Sequence, residues 1–163
     1  MIDRWMILVA LSGLACAHVR AQGLFEVTPR LDYPLDHPSS ALAVADLDGD
    51  GLLDAAVTHA GDARLSVLLL RAEGPPAMAS HEVGLSPLHL TSGDLDQSGT
   101  LDLVTVNSGS SSLSVLLNRG AGVFADPAEV RVTGAPRAAW IIDLDGDGSL
   151  DAAAISEIGR AHV

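Results

Sequence analysis

Apolar residues in this chain come in short runs of strand length, separated by turns rich in Gly, Asp and Pro. The run 41–45 predicts a strand that enters the stretch Asp46-Leu47-Asp48-Gly49-Asp50-Gly51-Leu52-Leu53-Asp54, and 53–58 predicts a strand that leaves it. After the turn His59-Ala60-Gly61-Asp62, residues 64–70 alternate in bulk as a third strand does. Beyond Gly74-Pro75-Pro76, residues 78–83 supply a weaker fourth. The order then restarts with 88–91, a second acidic stretch at 94–102, 101–107, the turn Ser108-Gly109-Ser110, 113–117 and 120–133. A third round has 138–142, an acidic stretch at 143–151 and 150–156. Residues 23–35 show little helical periodicity. Their Gly23-Leu24-Phe25 matches Gly122-Val123-Phe124, so they read as the closing strand of an earlier repeat.

The first aspartates of the three stretches, Asp46, Asp94 and Asp143, are 48 and then 49 residues apart. Four short strands per repeat at that period predict an all-β fold: a partial β-propeller of four-stranded antiparallel blades, about two and a half of them, with Asp-rich calcium loops. A propeller ring generally has four to eight blades, so this number does not close one.

Each acidic stretch places oxygen donors at alternate positions, as a hard cation with six to eight oxygen ligands requires. In loop one the candidate ligands are Asp46, Asp48, Asp50 and Asp54, with the Leu52 carbonyl at the seventh position. Loop two offers Asp94, Asp96, Ser98, Thr100 and Asp102, and loop three Asp143, Asp145, Asp147, Ser149 and Asp151. The cofactor expected is Ca2+, up to three ions. A Gly recurs at the sixth position as Gly51, Gly99 and Gly148, which suits a sharp turn where a Cβ would clash or positive φ is needed. Leu53, Leu101 and Leu150 at the eighth are expected to point inward. Loop two has Gln97 and Ser98 where loop one has Gly49 and Asp50, which leaves three carboxylates and predicts the weakest site. An EF-hand opens similarly but needs Glu at the twelfth position and flanking helices; here the twelfth residues are Val57, Thr105 and Ala154, amid strand formers. Magnesium prefers more waters and a stricter octahedron.

Composition agrees with cation binding. The net charge of −12 argues against nucleic acid or an anionic membrane as partner, and eleven of the sixteen Asp lie in the loops. The chain has no Lys, which removes Schiff-base and P-loop lysine chemistry. At 3% aromatic residues, stacking platforms are scarce, and Trp140 is expected in the blade core. Arg4 followed by an apolar run from Trp5 to Ala17 predicts a secretion signal over 1–21, with small residues for cleavage after Ala17 or Ala21. Thirteen residues are too few for a membrane span, which takes about 20. Cys16, the sole cysteine, could accept a lipid, but Gly13 stands where such sites usually have Leu. The repeats then occupy 22–156. Residues 157–163, Glu-Ile-Gly-Arg-Ala-His-Val, read as a translated sequencing adapter, which would make the chain a fragment of a longer protein.

The repeated Asp-x-Asp-Gly-Asp-Gly-x-x-Asp loop, followed by Leu65-Ser66-Val67-Leu68-Leu69 or Leu113-Ser114-Val115-Leu116-Leu117-Asn118 and then Gly122-Val123-Phe124, resembles the FG-GAP/VCBS repeats of bacterial secreted proteins. The resemblance covers about 23–156. Such repeats are similar to the integrin α-subunit propeller, which implies structural calcium, an exported or cell-surface location, and binding or adhesion to an extracellular protein or glycan. The remaining propeller blades of the parent chain would be further partners. The alternative is the non-catalytic part of a propeller-based secreted polysaccharide lyase or hydrolase. No catalytic constellation supports an enzyme here. Asp62, Glu73, Glu82, Asp126 and Glu129 are scattered, and His37, His59, His81 and His89 lack zinc spacing and are expected on the surface or on blade faces. Ser110-Ser111-Ser112 has no nucleophile-elbow pattern.

Overall fold

The computed structural model describes residues 38–157, together with the backbone of three short upstream strands. Those strands, β1 (Trp5–Val9), β2 (Cys16–Arg20) and β3 (Glu26–Val27), form one antiparallel sheet in that order. Of the segment 23–35 expected as the closing strand of an earlier repeat, the described residues are Glu26–Val27, paired with Arg20 and Val19 of β2. The remainder of 1–37, including Ala21 and His37, and residues 158–163 of the expected tail lie outside the described residues.

Downstream the chain is a sequence of hairpins. The first sheet runs β4 (Ala41–Ala45), β5 (Asp54–His59), β6 (Arg64–Leu69) and β7 (Ala77–Glu82), each paired antiparallel with its chain neighbour. The second repeats it as β8 (Pro87–Gly93), β9 (Asp102–Asn107), β10 (Ser112–Leu116) and β11 (Ala128–Arg131). A third contains β12 (Ala135–Ile142) and β13 (Asp151–Glu157). The described residues contain no helix. These are two complete blades and half of a third, an all-β partial propeller. The strand expected over 120–133 shortens to β11 and one isolated bridge between Asn118 and Phe124, because Gly120, Ala121 and Gly122 all take positive φ and leave the extended region. Glu157, the first residue of the expected tail, closes β13: it pairs with Ala135 and its carboxylate accepts from Arg137 at 2.7 Å.

Blades stack face to face. β8 packs against β4 and β5, and β12 packs against β8 and β9. Ser40 Oγ donates to the Pro87 carbonyl at 2.6 Å, which ties the entry of one blade to that of the next. Alternation along the strands sends successive residues to opposite faces. Ala56, Leu65 and Val67 of blade one thus meet Leu90, Leu103, Leu116 and Phe124 of blade two in the main core. The other face of blade two, with Val104, Val106 and Leu113, takes Ala139 and Ile141 of the third blade.

Trp140 is 51% exposed, with the His89 ring of β8 as a neighbour, which corrects the expectation that it is core. Its cross-strand partner is Ala153, and Ile142 and Ile155 on the same side of β12 and β13 are 49% and 55% exposed.

Candidate metal-binding loops

All three acidic stretches are the turns between the first and second strands of a blade, joining β4 to β5, β8 to β9 and β12 to β13. Local chemistry explains why the chain turns there. In loop one the Asp46 carboxylate accepts from the amides of Gly49 (2.7 Å) and Gly51 (2.9 Å), Asp48 from Asp50 (3.1 Å), and Asp50 from Leu52 (2.8 Å). Loop three repeats the set. Asp143 accepts from Gly146 and Gly148, Asp145 from Asp147, and Asp147 from Ser149. Aspartates that accept from backbone amides two or more residues ahead build such turns without distant partners. The sixth-position glycines have φ of +88° (Gly51), +84° (Gly99) and +90° (Gly148), the left-handed geometry expected of them.

Loop two departs where its sequence departs. Gln97 takes φ +58°, in a region that favours glycine, at the position held by Gly49 (φ +82°) and Gly146 (φ +79°). Asp94 accepts from Ser98 and Gly99 (both 2.9 Å), and Asp96 from Ser98 at 3.1 Å. Ser98 Oγ lies 2.8 Å from Thr100 Oγ1, whose hydroxyl donates to the Asn118 carbonyl. An open cleft of about 340 Å³ adjoins this loop, lined by Asp96, Ser98, Thr100, Leu117, Asn118, Arg119 and Gly120. The loop with the fewest carboxylates thus opens onto a cleft.

The carboxylates converge. Ligand atoms of Asp46, Asp48 and Asp50 lie within 4.8 Å of one another, as do those of Asp94, Asp96 and Asp102, and of Asp143, Asp145 and Asp151. Asp54 and Asp147 stand outside these groups. Asp54 is fully buried, and its two oxygens accept the amides of Leu47 and Leu70, each at 2.8 Å. Burial pushes the Asp54 carboxyl above the ordinary range, the two amide bonds pull it back, and Asp48 adds repulsion. Asp102 is bracketed likewise by the amides of Leu95 and Asn118, and Asp151 receives the Leu144 amide at 3.1 Å. The ninth aspartate thus closes each loop onto its second residue.

That bracket moves the apolar anchor. Leu101 packs against the main core as expected and Leu150 is half-buried, but Leu53 is 36% exposed. In loop one the anchor is Leu47, 3% exposed, whose amide is held by Asp54 and whose side chain sits in the main core with residues of the next blade. Leu95 meets the second core in the same way, whereas Leu144 is 70% exposed. The signal was present in the sequence as a Leu at the second position of every copy.

Among the described residues the three loop groups are the places where acids or histidines gather as metal ligands could. His59 is buried on a blade face with Nε2 at 2.9 Å from Ser66 Oγ. His81 and His89 are half-buried beside Phe124 and Trp140, with His81 Nε2 and His89 Nδ1 lacking hydrogen-bond partners. Burial lowers the His81 pKa, and the nearby Asp126 charge partly opposes this.

Repeated blades with acidic turns between their first two strands define a propeller-type repeat module. Residues 94–154, from the first aspartate of loop two into β13, match the family model of the FG-GAP-like repeat, so this part of the chain carries an FG-GAP-like repeat. No curated protein matches the chain.

Proposed function

We propose that the chain is a calcium-stabilised propeller module of an exported protein that offers its blade surface to an extracellular protein or glycan. The observation that carries the reading is the convergence of three carboxylates in each of three equivalent turns. The donor set is all oxygen and anionic, which suits a hard divalent cation. A carboxylate oxygen that accepts one amide keeps a second lone pair for a metal, so the hydrogen bonds described and ion binding are compatible. Asp46, Asp48 and Asp50 would hold the ion of loop one, with Asp54 behind them and the Leu52 carbonyl beside them. Asp94, Asp96 and Asp102 would serve loop two with Ser98 and Thr100. Asp143, Asp145 and Asp151 would serve loop three with Asp147 and Ser149.

The ion's role in this reading is structural. It neutralises carboxylates that otherwise repel one another across the mouth of each hairpin. With a dissociation constant of about 0.1 mM and about 1 mM calcium outside the cell, linkage adds about 1.4 kcal/mol per loop. Three loops supply about 4 kcal/mol, a sizeable part of the roughly 5–15 kcal/mol that keeps a domain folded.

Calorimetric titration of the chain with calcium, alongside magnesium, tests this. Binding of up to three calcium ions is expected, with loop two weakest and a rise in melting temperature of several degrees. No saturable calcium binding, or equal preference for magnesium, would overturn it.

A further inference from the structure

Asn118 is where loops one and two meet. It is 3% exposed, and its backbone amide donates to Asp102 Oδ1 at 2.8 Å. Its side-chain Nδ2 donates to the Leu47 carbonyl at 2.7 Å, across 71 residues of sequence, and to the Leu101 carbonyl at 3.1 Å. Its Oδ1 accepts the Gly120 amide at 3.0 Å. The two hydrogens of one amide group are thus divided between loop one and loop two. Leu47 in turn donates its own amide to Asp54 Oδ2. An unbroken route, Asp102 to Asn118 to Leu47 to Asp54, therefore joins the ninth carboxylates of two adjacent loops.

One repeat earlier the same position is Leu70. Its amide makes the same 2.8 Å bond to its own ninth aspartate, Asp54, but its side chain has no donor. The backbone bond therefore belongs to the repeat, whereas the bridge between loops belongs to Asn118. Loops two and three are joined by a weaker device, a 2.9 Å bond from Gln97 Nε2 to Ser149 Oγ at an exposed position where water competes.

We infer that Asn118 is a positioning residue that couples loops one and two, so that a cation held by either raises the affinity of the other. This rests on the calcium reading above. An ion that orders loop two fixes Asp102, and with it the amide and side chain of Asn118 and the Leu47 carbonyl. Loop one is then already ordered when its own ion arrives, so less conformational entropy is lost. Linkage makes the effect reciprocal.

The test uses the full chain with loop three silenced by Asp145→Ala, and follows calcium binding by calorimetry. Adding Asp48→Ala, which silences loop one, is expected to weaken loop two about fivefold, and adding Asp96→Ala to weaken loop one by the same factor. Asn118→Leu, which installs the residue blade one uses at this position, is expected to bring that factor below about twofold while both loops still bind. A lower melting temperature alone would not distinguish positioning from a plain packing role; loss of the reciprocal factor does. Loops that titrate independently in the Asn118 chain would overturn the inference, and so would a fivefold factor that survives Asn118→Leu. If Asn118→Leu does not fold, the silencing experiments in the Asn118 background decide alone, because the absence of reciprocity there is sufficient to overturn the inference. A chain that binds no calcium refutes the calcium reading as well, whereas one that binds its ions independently refutes only the coupling.

Discussion

The second and third blades begin with the same hairpin and end in opposite environments. Val104 and Val106 of blade two are fully buried against blade three, whereas Trp140, Ile142 and Ile155 on the outward face of blade three are 51%, 49% and 55% exposed. Yet the loop of the open blade repeats the bonds made within the nine residues of loop one, including the one the Leu144 amide donates to Asp151. Loop geometry is therefore local, written in nine residues. Burial comes from the neighbouring blade.

The largest test of that contrast compares equivalent truncations. Leu103→Ala, fully buried between blades one and two, is expected to cost about 2–5 kcal/mol by the transfer and cavity terms, whereas Ile155→Ala is expected to cost less than about 0.5 kcal/mol. Urea unfolding of the two variants measures it; similar losses would mean that the outward face of blade three is covered in solution. A smaller effect isolates loop geometry. Gln97→Gly removes a side chain from a left-handed backbone position and is expected to stabilise the chain by about 1 kcal/mol, with the calcium affinity of loop two unchanged or raised. A destabilised Gln97→Gly would show that the bond from Gln97 to Ser149 outweighs the backbone strain.

The smallest effect concerns the seam between blades one and two, where His81 of β7 meets Phe124 edge-on with ring centroids 6.0 Å apart. The folded chain holds the His81 pKa below the ordinary histidine value of about 6.5, so the unfolded chain takes up the proton first. This contribution is complete above about pH 6.5 and is lost as the pH falls toward the depressed value. The effect is small because the ring is only half-buried and Asp126 favours its charge. Melting curves between pH 7.5 and 5 should fall by a few degrees less in His81→Gln than in the unaltered chain; identical pH slopes would remove His81 from the seam's energetics.

How much was legible in advance follows the same division. The strand order, the three turns and the positive φ of the sixth glycines could be read because each depends on residues only a few places apart. The inward placement of Leu53 could not be, since which leucine faces the core depends on the Asp54 bracket and on the surface Leu47 meets in the next blade. Trp140 departs from expectation for a related reason. A large aromatic in an alternating strand is buried only if something stacks on its face, and no local pattern carries that information. Asn118 ends the motif Leu113-Ser114-Val115-Leu116-Leu117-Asn118, but its partner Leu47 lies 71 residues away, beyond any periodicity.

The connectivity of the blades bears on how the chain folds. Each ladder downstream of residue 40 joins strands consecutive in sequence, so each hairpin closes a short loop before any blade meets its neighbour. Such pairings carry little loop-closure entropy and form on a timescale of about microseconds. Stacking of blades then resembles a one-dimensional chain of nearest-neighbour contacts, in which opening spreads inward from an uncovered end. Amide exchange should accordingly be fastest in β12 and β13 and slowest in β9, whose buried strand has a blade on either side.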